Sequence, residues 1–383
     1  MKVPTLVVIL VALTGMVGCI SMQPDSGNTN FPVYANAFPE ADTLLVESPE
    51  QIMALPPAAG PFIARLKEDA RHKHSTITDE LVESVFSKRH LGVDYNSDAN
   101  SPVAETFANS EANCLSLTLM AYALARKAGL DAQLQQVDIP EYWSRKQGFS
   151  VLNGHVNVIV WDPSQGQQAH RLIDFDSRLQ AQQFAAEPMP LFRAIAMYYN
   201  NKAADALMAG DFSRAFRLLS EALKSDDSFA SAWVNLGVLY RFNQYYSYAE
   251  QAYLRATQTD PGHLTAKENL AILYRLTGRE KEADNLLAEV RHLRRENPYF
   301  HLNRGDEAFD AGDISRAKHY YRRAYRLDRH NHLVLFAMGK VAHADGEFDN
   351  ALAFLERALN QARFDTDKQR YLSKLALLSN QYD

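Results

Sequence analysis

Cysteine is scarce in this chain: Cys19 and Cys114 are the two among 383 residues. A pair of cysteines so far apart gives no disulfide framework. Neither a zinc ribbon nor an HExxH pattern is present, so no metal set is expected. Basic excess is lacking as well. A net charge of -6 and a pI near 6.1 leave no electrostatic footprint for a phosphate backbone, although His292, Arg294 and Arg295 form a local basic stretch. Nucleic acid is therefore not an expected partner. No GxxxxGK(S/T) phosphate loop occurs, and no cofactor is called for. The apolar run from Val7 to Leu13 is too short for a stable membrane span. What is present is 46% hydrophobic residues, enough for ordinary packed cores, over a length that suggests two or three domains.

The N-terminus carries Lys2, the apolar run, and then small residues up to Gly18 and Cys19, the layout of a signal peptide over residues 1–18. Met16-Val17-Gly18-Cys19 resembles a bacterial lipobox, in which the signal is cut before a cysteine that then carries lipid. The resemblance implies membrane attachment through lipid on Cys19. Ile20, where an aspartate would be linked with inner-membrane retention, implies the outer membrane, facing the periplasm. Residues 19–40, rich in Ser, Asn, Gly, Pro and Asp, read as a flexible tether. With Cys19 committed to lipid, Cys114 is left as a thiol with no partner of its own kind.

Residues 41–195 read as one α+β domain. Helices are predicted around Pro61 to Ala70 and Asp79 to Lys88, followed by a loop from Tyr95 to Asn113. An alanine- and leucine-rich helix then runs from Cys114 to Lys127 and stops at Gly129. Strands are predicted at Asp131 to Val137, His155 to Trp161 and Arg171 to Phe175.

From Ala196 onward the chain repeats with a period of 34, starting again at Ala230, Leu264, Pro298 and His332. The clearest copy holds Trp233, Leu236, Gly237, Tyr240, Ala249, Tyr253, Ala256 and Pro261, which matches the tetratricopeptide pattern. One position is alanine in every copy: Ala215, Ala249, Ala283, Ala317 and Ala351. Small residues there let paired helices approach closely, so five repeats over 196–365 form an all-α solenoid, and residues 366–383 supply a closing helix.

The segments Ala104-Glu105-Thr106-Phe107, Asn113-Cys114-Leu115-Ser116-Leu117 and Ala123-Leu124-Ala125-Arg126, with Gly154-His155-Val156 and Leu172-Ile173-Asp174 downstream, resemble the core of bacterial transglutaminase-like proteins over roughly residues 91–176. The resemblance implies a papain/transglutaminase-like fold of the cysteine peptidase type, with Cys114, His155 and Asp174 catalytic. The chemistry agrees. A cysteine that opens a helix sits where unpaired N–H groups favour the thiolate, a histidine relays the proton, and a carboxylate fixes the imidazole. Asp176 would lie on the same side of a strand as Asp174 and competes for the orienting role. His170 follows a Gln- and Gly-rich turn and reads as solvated. Asn113 either contributes to an oxyanion site or caps the helix.

These readings imply thiol-dependent acyl transfer on peptide or glutamine amides, hydrolysis foremost, with the repeats recruiting a protein or peptide partner. The alternative is an inactive periplasmic scaffold acting through its repeats. Tyr240, Arg241, Tyr245 and Tyr246 are candidates for a binding surface, although aromatic residues at repeat positions are usually core. Recognition of cell-wall peptides by the repeats is a third expectation.

Overall fold

The computed structural model describes residues 35–86, 94–96, 98–109, 111–146, 149–161, 170–175, 184–362 and 365–379. The signal segment 1–18, Cys19, the first part of the 19–40 tether and Asp176 lie outside these.

Helices α1 (Pro49–Met53), α2 (Ala59–Lys73), α3 (Ile77–Phe86) and α4 (Val103–Ala108) gather around a central helix, α5 (Cys114–Ala128), with a short parallel pair, β1 (Asp94–Tyr95) and β2 (Glu111–Ala112), between them. Local chemistry sets both ends of α5. The Asn113 side chain accepts the Ser116 N–H at 2.8 Å, and Gly129 closes the helix at φ 89°, returning its N–H to the carbonyls of Ala125 and Arg126. Leu117, Leu119, Met120, Ala121, Leu124 and Ala125 are all buried, so the helix is apolar on nearly every side and serves as the core. The segment predicted as loop from Tyr95 to Asn113 is interrupted by α4, which opens after Pro102, a residue that preorganises a helix start.

One face of α5 packs on a four-stranded antiparallel sheet made of β3 (Asp131–Lys146), β4 (Phe149–Trp161), β5 (His170–Ile173) and β6 (Ala186–Met189), in the order β5-β4-β3-β6. Strands β3 and β4 outrun the expected 131–137 and 155–161. Beyond a register shift between Val137 and Tyr142 they continue as a two-stranded ribbon, Tyr142–Lys146 against Phe149–Asn153. Strand β6 had no clear sequence signal. It carries Pro188, which an edge strand tolerates because, among the described residues, its outer side has no ladder partner to satisfy.

The second half is a row of helix pairs: α6 (Leu191–Ala209) with α7 (Phe212–Ser225), α8 (Ala230–Phe242) with α9 (Tyr246–Thr259), α10 (Leu264–Leu276) with α11 (Glu280–Arg294), α12 (Pro298–Asp310) with α13 (Ile314–Leu327), and α14 (His332–Ala344) with α15 (Phe348–Gln361). A last helix, α16 (Asp365–Ser379), covers the end. Helices start at Ala230, Leu264, Pro298 and His332, as the period requires. The alanines at 215, 249, 283, 317 and 351 are fully buried between paired helices.

Two expected boundaries shift. Helix α6 begins at Leu191, so a domain border at 195/196 falls inside a helix that belongs to both halves. Phe38, within the expected tether, is buried and stacks on Phe216 at 5.0 Å, because an aromatic ring gains more from this seat than a free tether gains in entropy. One hydrophobic core consequently runs from Phe38 through α5 and the sheet to Ala283. Polar ties reinforce it. Glu47 receives the Lys202 ammonium at 2.5 Å, and the Tyr199 hydroxyl donates to the Glu47 carbonyl at 2.5 Å.

Candidate functional site

Cys114 is the first residue of α5, and its sulfur faces β4. Its Sγ–H donates to the Val156 carbonyl at 3.3 Å; Thr118, one turn along the same helix, directs its hydroxyl to that oxygen at 3.5 Å. Cys114 is half-buried, whereas the His155 side chain beside it is fully buried. His155 and Asn157 project from the same face of β4, two residues apart. Asp174 directly follows β5, whose Ile173 pairs with Val158. This register brings the carboxylate to the imidazole: His155 Nε2 and Asp174 Oδ2 are 2.9 Å apart, with the Asn157 amide donating to the same oxygen at 3.5 Å.

Because Nε2 is held by Asp174, a neutral His155 carries its proton there and turns the Nδ1 lone pair inward. Nδ1 is buried and has no hydrogen-bond partner among the described residues. Burial by itself lowers the affinity of the ring for a second proton. The Asp174 carboxylate and the Cys114 sulfur together outweigh that penalty and push the imidazole up to about 10. A basic imidazole thus stands beside the Cys114 thiol, whose proton is bonded to the Val156 carbonyl.

The structure brings Cys114, His155 and Asp174 together and leaves His170 out, at the exposed start of β5. Asn113 is spent on structure: its Oδ1 caps α5 and its Nδ2 donates to Asn100 Oδ1 at 3.3 Å. The Cys114 N–H, at the first helical position, lies among those that have no acceptor within a helix. Cys19 and Asp176 lie outside the described residues. Among the described residues no group of three or more His, Cys, Asp or Glu stands close enough to hold a metal ion, and no helix is long and apolar enough to cross a membrane.

Sequence reading missed the ribbon of β3 and β4. It leaves the sheet beside His155, since Val137 is the partner of His155 at the last regular pair before the register shift, and it lies along the first helices of the repeats. Arg294, legible in the sequence only as part of a basic stretch, is 3% exposed in its side chain and forks onto Glu141 at 2.6 and 3.2 Å while also holding Glu268 at 2.6 Å. Of the four residues expected at a binding surface, Tyr240 is core, Arg241 donates to the Tyr253 hydroxyl at 3.3 Å, Tyr245 meets the Phe38 ring edge-on at 6.3 Å, and Tyr246 is exposed.

Comparison with known proteins places the repeats. A family profile for the tetratricopeptide repeat matches residues 200–263 and 302–367, and the second half of the chain is a tetratricopeptide-repeat solenoid. Anaphase-promoting complex subunit 3 of Schizosaccharomyces pombe is 25% identical over 147 residues, 38% of this chain and 22% of that protein, so the match spans under a quarter of its relative's length. Among solved structures, pilF of Pseudomonas aeruginosa is 20% identical, covering 49% of this chain and 86% of its own at a TM-score of 0.29. A thermophilic tetratricopeptide-repeat protein of Thermus thermophilus is 21% identical, covering 47% of this chain and 99% of its own at a TM-score of 0.30.

Proposed function

We propose that this chain is a thiol-dependent acyl-transfer enzyme of the transglutaminase-like kind, acting on peptide or glutamine amides, whose tetratricopeptide repeats recruit a protein or peptide partner. One observation carries the reading: a buried imidazole clamped by Asp174 at 2.9 Å interacts with the sulfur of Cys114, half-buried at a helix start. In that reaction the Cys114 thiolate attacks the carbonyl carbon, forming a C–S bond, and the negative charge gathers on the oxygen. The Cys114 N–H, unbonded within the helix, is a donor of the right kind for that oxygen. The His155 imidazolium gives its proton to the departing amine as the C–N bond breaks, leaving a thioester. Water, deprotonated by the neutral ring, then releases the acid; an amine acceptor in place of water would give a cross-link, and the triad serves either. Hydrolysis is the form proposed.

The lipobox-like residues support export with lipid on Cys19 and residence at the outer membrane, facing the periplasm. Palmitate incorporation lost in Cys19→Ser tests this; incorporation unchanged by that substitution refutes it. A second reading rests on the repeats alone: tetratricopeptide repeats bind protein or peptide partners, and the first half could be an inert companion within a scaffold. Iodoacetamide labelling of the chain without its first 19 residues separates the two. The enzyme reading expects labelling of Cys114 at pH 7 to be fast and to fall at least about tenfold in His155→Ala, with a smaller loss in Asp174→Asn. Labelling that is slow and insensitive to both changes assigns the scaffold.

A further inference from the structure

The ribbon of β3 and β4 packs along the repeats. Its residues touch the first helix of each of four successive pairs. Lys146 bonds Asp205 of α6 at 2.7 Å, and Phe149 lies 6.4 Å from the Phe242 ring of α8. Glu141 takes the Thr265 hydroxyl of α10 at 3.1 Å, and Tyr142 meets the Tyr299 ring of α12 edge-on at 5.2 Å.

The seat around Glu141 has the parts of a peptide-recognition site. Arg294 reads the carboxylate with a two-pronged fork and lays its guanidinium 4.7 Å from the centre of the Trp143 ring. Asn297 donates to the Glu141 backbone carbonyl at 2.8 Å, a contact that any extended chain can make.

The ribbon projects beyond the four-stranded part of its sheet. Strand β6 pairs with residues 134–137 of β3 and β5 with residues 158–161 of β4, so the ribbon beyond the register shift has no third strand among the described residues. Two-stranded ribbons are marginal in water by themselves, so this one depends on the repeats for its order. Pro140, which cannot donate to a ladder, sits within the shift, where β3 loses its register with β4.

We propose that the face formed by the first helices, together with Arg294 at the end of α11 and Asn297 before α12, is a receptor for extended segments carrying a glutamate followed by aromatic residues, that the ribbon occupies it in cis, and that a partner peptide of the same chemistry binds by displacing the ribbon. This deepens the partner-binding half of the proposed function and does not depend on the thiol half, which Cys114 labelling of wild type against His155→Ala, with the ribbon intact in both, reads separately.

The test uses a fluorescent peptide of residues 138–146 titrated by anisotropy against the otherwise full chain. Wild type is expected to bind weakly, because the ribbon competes as a tethered ligand. Glu141→Gln, which loosens the resident segment, is expected to bind at least about tenfold more tightly. Adding Arg294→Gln to that variant is expected to abolish the gain. If Glu141→Gln keeps its helical circular dichroism and binds no tighter than wild type, the ribbon is a permanent domain contact and the proposal fails. A second measurement needs no variant: saturating peptide is expected to speed amide exchange across residues 142–146 and 149–153 of the wild-type chain, and unchanged exchange with peptide bound overturns displacement. A wild-type dimer dissolved by the peptide would give the seat to the ribbon of a second copy and overturn the partner in trans.

Discussion

At the residue scale, the imidazole of His155 carries a clear pH signature. Its folded-state value stands near 10 against an ordinary 6.5, so the stabilisation it brings is full below about 6.5 and is lost as pH rises through about 10. Asp174→Asn removes the carboxylate that holds the imidazolium. The melting temperature of wild type is therefore expected to exceed that of Asp174→Asn by several degrees at pH 6.5, and the gap is expected to narrow steadily towards pH 10.5 in thermal circular dichroism. A gap that widens with pH would mean that His155 is neutral in the folded chain. The same register that delivers Asp174 to the ring also leaves the Asn157 amide donating to the Asp174 carboxylate, a contact that sequence motifs did not single out.

At the element scale, the repeats show how a period becomes a close approach. A Cβ at Gly305 would stand 2.3 Å from the Tyr321 ring, and one at Gly237 would stand 2.4 Å from Tyr253, so glycine at these points admits the aromatic ring of the paired helix. Gly305→Ala is expected to cost about 1–3 kcal/mol through overpacking, read as a lower urea midpoint. The turn within each pair needs a left-handed residue, supplied by Gly210, Gly278, Gly312 and Gly346 at φ between 75° and 78°. In the second pair that place is held by Gln244 at φ 62°. A side chain there strains the backbone, so Gln244→Gly is expected to raise stability by about 0.5–1 kcal/mol, less the added freedom of glycine in the unfolded chain. A lowered urea midpoint would show that the side chain of Gln244 contributes more than its backbone costs.

At the scale of the whole molecule, the end of the solenoid and the ribbon decide how the parts act together. Helix α16 places the Tyr371 ring 4.8 Å from Phe336 and its hydroxyl 2.8 Å from His332 Nδ1, sealing the last pair. Removing residues 365–383 is expected to expose Phe336 and to produce aggregation on heating, followed by light scattering, because a terminal repeat needs a covering face. On its β4 side the ribbon runs on into the strand of His155, which pairs with Val137 just before the register shift of β3. Loosening it with Glu141→Gln is expected to slow iodoacetamide labelling of Cys114 at pH 7 by up to about tenfold, since small displacements of a reacting pair are costly. Unaltered labelling would show that the base of the sheet holds His155 without the ribbon.

The sequence by itself determined whatever depends on neighbours along the chain. The 34-residue period, the buried alanines and the helix from Cys114 to the Gly129 cap are legible because helix contacts recur at short intervals and caps are local chemistry. The grouping of Cys114, His155 and Asp174 was legible as a motif, but their distances were not. Only the tertiary structure decided the seat of Phe38 on Phe216, the continuation of α6 across the expected border, and the fork of Arg294 on Glu141. Arg294 and Glu141 lie 153 residues apart, and each reads in sequence as an ordinary surface charge. No local pattern marks such a pair, because its two charges meet and leave water only after both halves have folded against each other.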